Sequence, residues 1–167
     1  FTGNQIGALL ADFLSRQGSV KGKIMVTTVV TGDLGSRIVT SRGATVIHTL
    51  TGSKFVCEEM NHMEAGEFLL GYEESHGYIG GMHIRDKDGV LAAMLICETA
   101  AWHKTQGRTL LDALEDLYQE YGYYIDEQDS FVFEGAKGAK EMQKIMARLR
   151  SRRGSVFAPL GKPDKIL

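Results

Sequence analysis

The sequence predicts an α/β fold, a three-layer α/β/α sandwich around a mixed four-stranded sheet whose last strand is antiparallel, followed by extra C-terminal helices. Three observations predict it. Helically spaced apolar residues and short β-branched runs follow one another as helix–strand–helix–strand–helix–strand–strand–helix. The run KIMVTTVV at 23–30 is nearly continuous in apolarity, the pattern of a strand buried on both faces. The third and fourth strands are separated only by EESHG, too short for a crossover, so they should be antiparallel neighbours while the earlier strands run parallel.

The elements follow in order. Residues 5–16 place Ile6, Leu9, Leu10 and Phe13 at helical spacing. After the first strand, TGDLGS punctuates the chain, and RIVTSRG forms a short helix closed by Gly43. ATVIHTL (44–50) is the second strand, and FVCEEMNHM carries Val56, Met60 and Met63 on one helix face. EFLLGY (67–72) and YIGGMHI (78–84) are the third and fourth strands. DGVLAAMLICETAAWHK is apolar on most sides and reads as a largely buried helix. In LLDALEDLYQEYG, Leu110, Leu114, Leu117 and Tyr121 share a face of an amphipathic helix ended by Gly122. Past Tyr124 the composition turns polar and glycine-punctuated. A last helix at about 138–151 carries Met142, Ile145, Met146 and Leu149, and the tail GKPDKIL reads as loose. The boundary near 125 gives a domain over 1–124 and a remainder over 125–167.

The composition excludes several classes. A chain of 167 residues suits one sizeable core with a small appendage, and 43% hydrophobic residues suit a soluble globule. Nineteen basic and 21 acidic residues give a net charge of -2, so nothing global draws the chain to nucleic acid or membrane. Arg148, Arg150, Arg152 and Arg153 gather at the last helix, where its dipole favours cations, and they lack the interleaved aromatics of a nucleic-acid surface. No apolar run approaches the roughly 18–20 residues that cross a bilayer, and the N-terminus lacks a signal-peptide pattern. Cys57 and Cys97 have no zinc-site spacing and fit a reducing cytoplasm, so a cytoplasmic location is expected. The chain opens on Phe1 and runs almost at once into a helix, as an excerpt of something longer would.

In open α/β sheets ligands bind at the carboxyl ends of parallel strands. Three loops meet that description: TGDLGS (31–36), TLTGSK (49–54) and YEESHG (72–77). TGDLGS is either a phosphate cradle, which Asp33 would oppose, or an N-capped helix start. In TGSK, Gly52 allows close approach and Lys54 adds charge; capping by Thr51 or Ser53 is the competing reading. In YEESHG a Ser75–His76 nucleophile pair is excluded, because neighbours on extended chain point to opposite faces. A Glu73/Glu74 glycosidase pair fails because its carboxyls should flank a bond about 5 Å or more apart. Alternation instead puts Glu73 and Ser75 on one side, suited to a polyol, and Glu74 and His76 on the other; a solvated hairpin turn is the alternative. In HIRDKDG (83–89), His83, Arg85 and Lys87 alternate at the end of the fourth strand, and Asp88 is placed to cap the next helix. Arg85 and Lys87 either meet a phosphate or form a charged solvated loop.

TLTGSK, GYEESHG and HIRDKDG, in this order and spacing, resemble the third domain of the α-D-phosphohexomutases, the phosphoglucomutase branch above all. The opening TGNQIGALLADFL and the stretch AAWHKTQGRTLLDALEDLYQEYGYY extend the resemblance over about 1–150. It implies the sugar-recognition domain of an enzyme interconverting glucose 1-phosphate and glucose 6-phosphate through a phosphoserine and a bisphosphate intermediate. It implies substrate-binding roles for Glu73 and Ser75 on sugar hydroxyls, for Thr51 and Gly52 in orientation, and for Lys87 with Arg85 on the phosphate or bridging oxygen, with His83 assisting. Mg²⁺ and glucose 1,6-bisphosphate are implied for the full-length enzyme.

The family's serine loop, its DGDxDR-like metal loop and its RxSGTxxxxR-like phosphate loop are absent from these residues, so no catalytic or metal-binding residue is expected here and the fragment alone should be inactive. Residues 125–167 would be the hinge and the incomplete start of the C-terminal domain, and the implied partners are a sugar phosphate and the other domains of the same polypeptide. Some relatives carry a basic residue in the first loop; Thr31 and Asp33 stand there here, and that role is not assigned. The alternatives are a mannose or pentose phosphate substrate, or a non-catalytic sugar-phosphate sensor or assembly module.

Overall fold

The computed structural model describes residues 1–64, 66–127 and 130–151, with the backbone of two short strands beyond them. Its elements are α1 (Gly3–Arg16), β1 (Ile24–Thr28), α2 (Leu34–Ser41), β2 (Thr45–Thr49), α3 (Ser53–Met60), β3 (Phe68–Glu73), β4 (Gly77–Ile79), α4 (Gly89–Thr105), α5 (Leu110–Tyr121), α6 (Gly135–Ser151), β5 (Val156–Phe157) and β6 (Asp164–Lys165). The chain divides into two compact units, Phe1–Asp126 and Glu127–Leu167.

The first unit is built on a four-stranded sheet in the order β2-β1-β3-β4. β1 pairs parallel with both β2 and β3, and β3 pairs antiparallel with β4, as the short EESHG connection requires. The central position of β1 explains its apolar run: residues 25–28 are all buried. Alternation along the strands, reset on β3 by a register shift opposite Ile24 and Met25 that separates Phe68 from Leu70, sorts the core into two layers. Met25, Leu70, Tyr72 and Tyr78 face one cluster with Leu10, Val39 and Leu95 from α1, α2 and α4. Val26, Phe68 and Ile79 face another with Val56, Cys57 and Met60 from α3. α5 adds a helix layer, setting Leu114 and Leu117 against Leu9 and Ile38 of α1 and α2, and it ends at Gly122.

Local signals set several boundaries. Thr2 and Gln5 form a capping box at the start of α1, and Thr109 with Asp112 does the same for α5. Asp88 caps α4 by accepting from the N–H groups of Val90 and Leu91 at 3.0 and 3.1 Å. Within α1, the buried Asp12 pairs with Arg16 and with Arg42, a charged group kept inside by its two guanidinium partners.

Three expectations need correction. The fourth strand was expected over 78–84, but β4 ends at Ile79, so HIRDKDG follows a strand rather than closing one. Leu91 and Leu95 of α4 press on Gly80, whose missing side chain makes their room, and the chain turns back so that Asp88 N–H reaches the Tyr78 carbonyl at 3.1 Å. The helix over DGVLAAMLICETAAWHK is not largely buried. Ala92, Leu95, Thr99 and His103 form its one inward stripe, while Val90 and Met94 are 83% and 55% exposed. Its apolarity extends beyond the face it packs: it lies over the edge strand β4, and its main neighbours besides that strand among the described residues are α1 and α5. Finally, neither Thr51 nor Ser53 caps α3, and Asp33 makes no cap hydrogen bond to α2.

In the second unit α6 begins at Gly135, slightly earlier than expected, and buries none of its residues; Met142, Ile145 and Met146 stand exposed. β5 and β6 pair antiparallel. Arg152, Arg153 and most of the GKPDKIL tail lie outside the described residues.

Candidate functional site

The carboxyl ends of β1, β2 and β3 bring three loops to one edge of the sheet, and two adjacent carboxylates tie them together. Glu73 closes β3 and is 6% exposed. Its Oε1 accepts the Gly52 N–H at 2.9 Å, across the sheet in the loop after β2. Gly52 has φ +123°, a conformation that a side chain would strain, and it presents its N–H to the carboxylate from there. Lys87 Nζ lies 2.7 Å from Glu73 Oε2. That ion pair occupies Oε2, the oxygen that Gly52 does not reach.

Glu74 serves the other side. Its Oε2 lies 3.3 Å from Thr31 Oγ1 and 3.4 Å from Thr28 Oγ1; the two hydroxyls are 2.8 Å apart, so one donates to the other and the second donates to the carboxylate. The loop after β1 is held further by Asn4, whose Oδ1 accepts the Gly32 N–H at 3.1 Å. The turn itself rests on α1: a side chain at Gly3 would collide with the Glu74 carbonyl, and the Tyr78 hydroxyl donates to the Gly3 carbonyl at 3.1 Å. Burial pushes that phenol up to about 12, so it stays a donor at neutral pH.

The alternation expected through 73–76 does not hold. Glu73 pairs with Gly77, so Glu74, Ser75 and His76 form a three-residue hairpin loop. His76 has φ 63°, the left-handed residue that closes such a loop. The two carboxylates diverge because one ends a strand and the next begins a turn.

The structure therefore brings Glu73, Gly52 and Lys87 into direct contact. Ser75, Thr51, Arg85 and His83 are exposed on the same loops. Sequence reasoning missed Asp86, whose Oδ1 accepts from Lys87 N–H at 2.7 Å and Ser53 Oγ at 2.9 Å. Those bonds, the backbone one foremost, hold its carboxyl below the usual range and lock HIRDKDG to TGSK. It also missed Thr28 and Asn4, which nothing in the local pattern marks, and it gave Thr31 of the TGDLGS loop no role. Among the described residues no group of three or more His, Cys, Asp or Glu is arranged to hold a metal ion, so these residues do not fit a Mg²⁺ site. No helix among them is long and apolar enough to cross a membrane.

These features define an α/β/α domain with a polar binding edge at the carboxyl ends of its parallel strands. The family model described as "Phosphoglucomutase/phosphomannomutase, alpha/beta/alpha domain III" matches residues 2–121, and the chain belongs to that family. Phosphoglucomutases of Staphylococcus haemolyticus and Staphylococcus epidermidis are each 35% identical to it, over 96% and 90% of this chain and 30% and 28% of their own lengths. The chain thus spans under a third of these relatives. The open form of pp63/parafusin, a phosphoglucomutase from Paramecium, superposes with a TM-score of 0.66 over 99% of this chain and 31% of that one, at 21% identity, a likeness of fold.

Proposed function

We propose that this chain is the sugar-recognition domain of a phosphoglucomutase, an enzyme that interconverts glucose 1-phosphate and glucose 6-phosphate through a phosphoserine and a bisphosphate intermediate. The observation that carries the reading is the Glu73 carboxylate: buried, fixed through one oxygen by the Gly52 N–H, and paired through the other with the ammonium of a lysine whose side chain is 44% exposed. A carboxylate so held can accept from a sugar hydroxyl, and it accepts equally well from equatorial hydroxyls approached from either end of the ring. An enzyme that must bind one sugar in two reversed orientations needs such an acceptor.

On this reading Ser75 adds a second hydroxyl contact, Thr51 and Gly52 set orientation, and Lys87, Arg85 and His83 meet the phosphate or the bridging oxygen. Residues 1–124 form the recognition domain, and 125–167 the hinge and the start of the next one. The nucleophile, the Mg²⁺ ligands and the remaining phosphate site come from other parts of the polypeptide, so the fragment alone has no mutase activity.

The test is the full-length enzyme assayed with glucose 1-phosphate, mannose 1-phosphate and ribose 1-phosphate. Glucose 1-phosphate should be turned over fastest, and Glu73→Gln should lower its kcat/KM by about 10-fold or more, the loss expected for one hydrogen bond to a charged group. A full-length protein with no phosphoserine or DGDxDR-like loop, or one indifferent to Glu73→Gln, would sink the proposal.

A further inference from the structure

Glu73 and Lys87 are both candidate ligands for the same substrate, yet in the free domain they are bound to each other. The contact is built into the fold. A Cβ at Gly77 would lie 2.8 Å from Glu73 Oε2 and 2.8 Å from both Cδ and Cε of Lys87. The absence of a side chain at the first residue of β4 is therefore what lets the lysine stem lie across the strand and its ammonium reach the carboxylate. The backbone of Lys87 is fixed by the bond from its N–H to Asp86, which also holds Ser53. Its side chain, by contrast, is 44% exposed and free to swing, while that of Glu73 is only 7% exposed and fixed by Gly52. One partner is anchored and the other is movable.

We propose that Lys87 is a specificity-determining gate: it covers Glu73 Oε2 in the free domain and yields that oxygen to a sugar hydroxyl when the same ligand carries a phosphate to receive the ammonium. The inference rests on the sugar-phosphate reading above. A neutral sugar must displace the ammonium from a buried carboxylate and return it to water without replacement. A phosphorylated sugar exchanges one ion pair for another and gains the hydroxyl contact as well. The lysine then does more than attract phosphate. It penalises ligands that lack phosphate, a repulsive element of selectivity.

A lysine that only attracts phosphate and a lysine that gates make different predictions for the neutral ligand. The 167-residue chain, ¹⁵N-labelled, is titrated with glucose and with glucose 1-phosphate, following the amide resonances of Gly52 and Gly77, as wild type and as Lys87→Met. Methionine keeps the stem's length and apolarity but cannot pair with the carboxylate. In the wild type, glucose 1-phosphate should bind about 10-fold more tightly than glucose, the value of one charge-assisted contact. Lys87→Met should weaken glucose 1-phosphate and tighten glucose by roughly 5-fold, the scale of a partly exposed ion pair.

Unchanged or weaker glucose binding in the variant overturns the gate and leaves Lys87 a plain phosphate ligand, with the sugar reading intact. Wild-type chain that binds both ligands equally overturns it as well. If neither ligand moves any amide in either protein, the sugar-phosphate reading fails and the gate falls with it. Matching amide spectra away from the loop establish that the variant is folded. Should they differ, Lys87→Ala, which removes the ammonium without adding an atom near Glu73 Oε2, must tighten glucose in the same way or the gate is refuted.

Discussion

Replacing each of the two adjacent carboxylates with alanine should have unequal consequences, and the structure sets the size of the difference. Glu73→Ala removes the acceptor of the Gly52 N–H, a 2.9 Å bond to a charged group inside the fold. Such a bond contributes about 1.5–3 kcal/mol. The ion pair to Lys87 adds no more than about 1 kcal/mol, because the lysine side chain is 44% exposed and returns to water when its partner goes. Glu74→Ala removes an acceptor at 3.3 and 3.4 Å from two hydroxyls that remain bonded to each other at 2.8 Å. Its loss should cost about 0.5–1 kcal/mol, the low end of a net hydrogen bond. For a chain of this size each kcal/mol shifts Tm by about 2–4 °C. Glu73→Ala should therefore melt about 3–16 °C below wild type and Glu74→Ala about 1–4 °C below it, read by thermal denaturation followed by circular dichroism. In the full-length enzyme the loss of activity should follow the same order. A Glu74→Ala variant as unstable and as inactive as Glu73→Ala would refute the assignment of anchoring and ligand-facing roles to Glu73.

Two further outcomes test the packing. Burial holds His103 below its ordinary pKa of 6.5, with Arg16 and Arg108 acting in the same direction and Asp12 and Asp116 against it. The unfolded chain then takes up the proton first, so the contribution of this histidine to stability is complete above pH 6.5 and declines as the pH falls from there through the folded value. His103→Gln should flatten the fall in Tm over that range, and a variant with the wild-type slope would contradict it. Cys97 is exposed whereas Cys57 is buried, and burial raises the Cys57 thiol pKa. Ellman's reagent should modify one thiol quickly and the second only on unfolding, and the fast reaction should vanish in Cys97→Ser; two fast thiols would show that α3 does not pack Cys57 against the sheet as described.

Much of the architecture is legible in the residues because it is local. The unbroken apolarity of KIMVTTVV marks the central strand, the five-residue EESHG connection dictates an antiparallel neighbour, and Leu110, Leu114 and Leu117 mark the inner face of α5. The three loops that carry the site follow from strand direction alone. The apolarity of α4 misled, since periodicity reports which residues can be buried and not how many neighbours are present to bury them. β4 was overextended for a related reason: the pressure of Leu91 and Leu95 on Gly80 comes from a helix more than ten residues further on.

By itself the sequence determined the elements, the direction of the strands, the family, and which loops hold polar chemistry. Only the tertiary structure decided what that chemistry is paired with. Glu73 meets a backbone N–H from 21 residues earlier, and Glu74 meets hydroxyls from 46 and 43 residues earlier. Those distances are closed by the sheet order β2-β1-β3-β4, which sets the end of β1 beside the end of β3 and the end of β2 one strand further across. Side-chain periodicity carries no record of that order. Two neighbouring glutamates that look alike in the chain therefore become a buried anchor and a loop tie, because one is the last residue of a strand and the other the first of a turn.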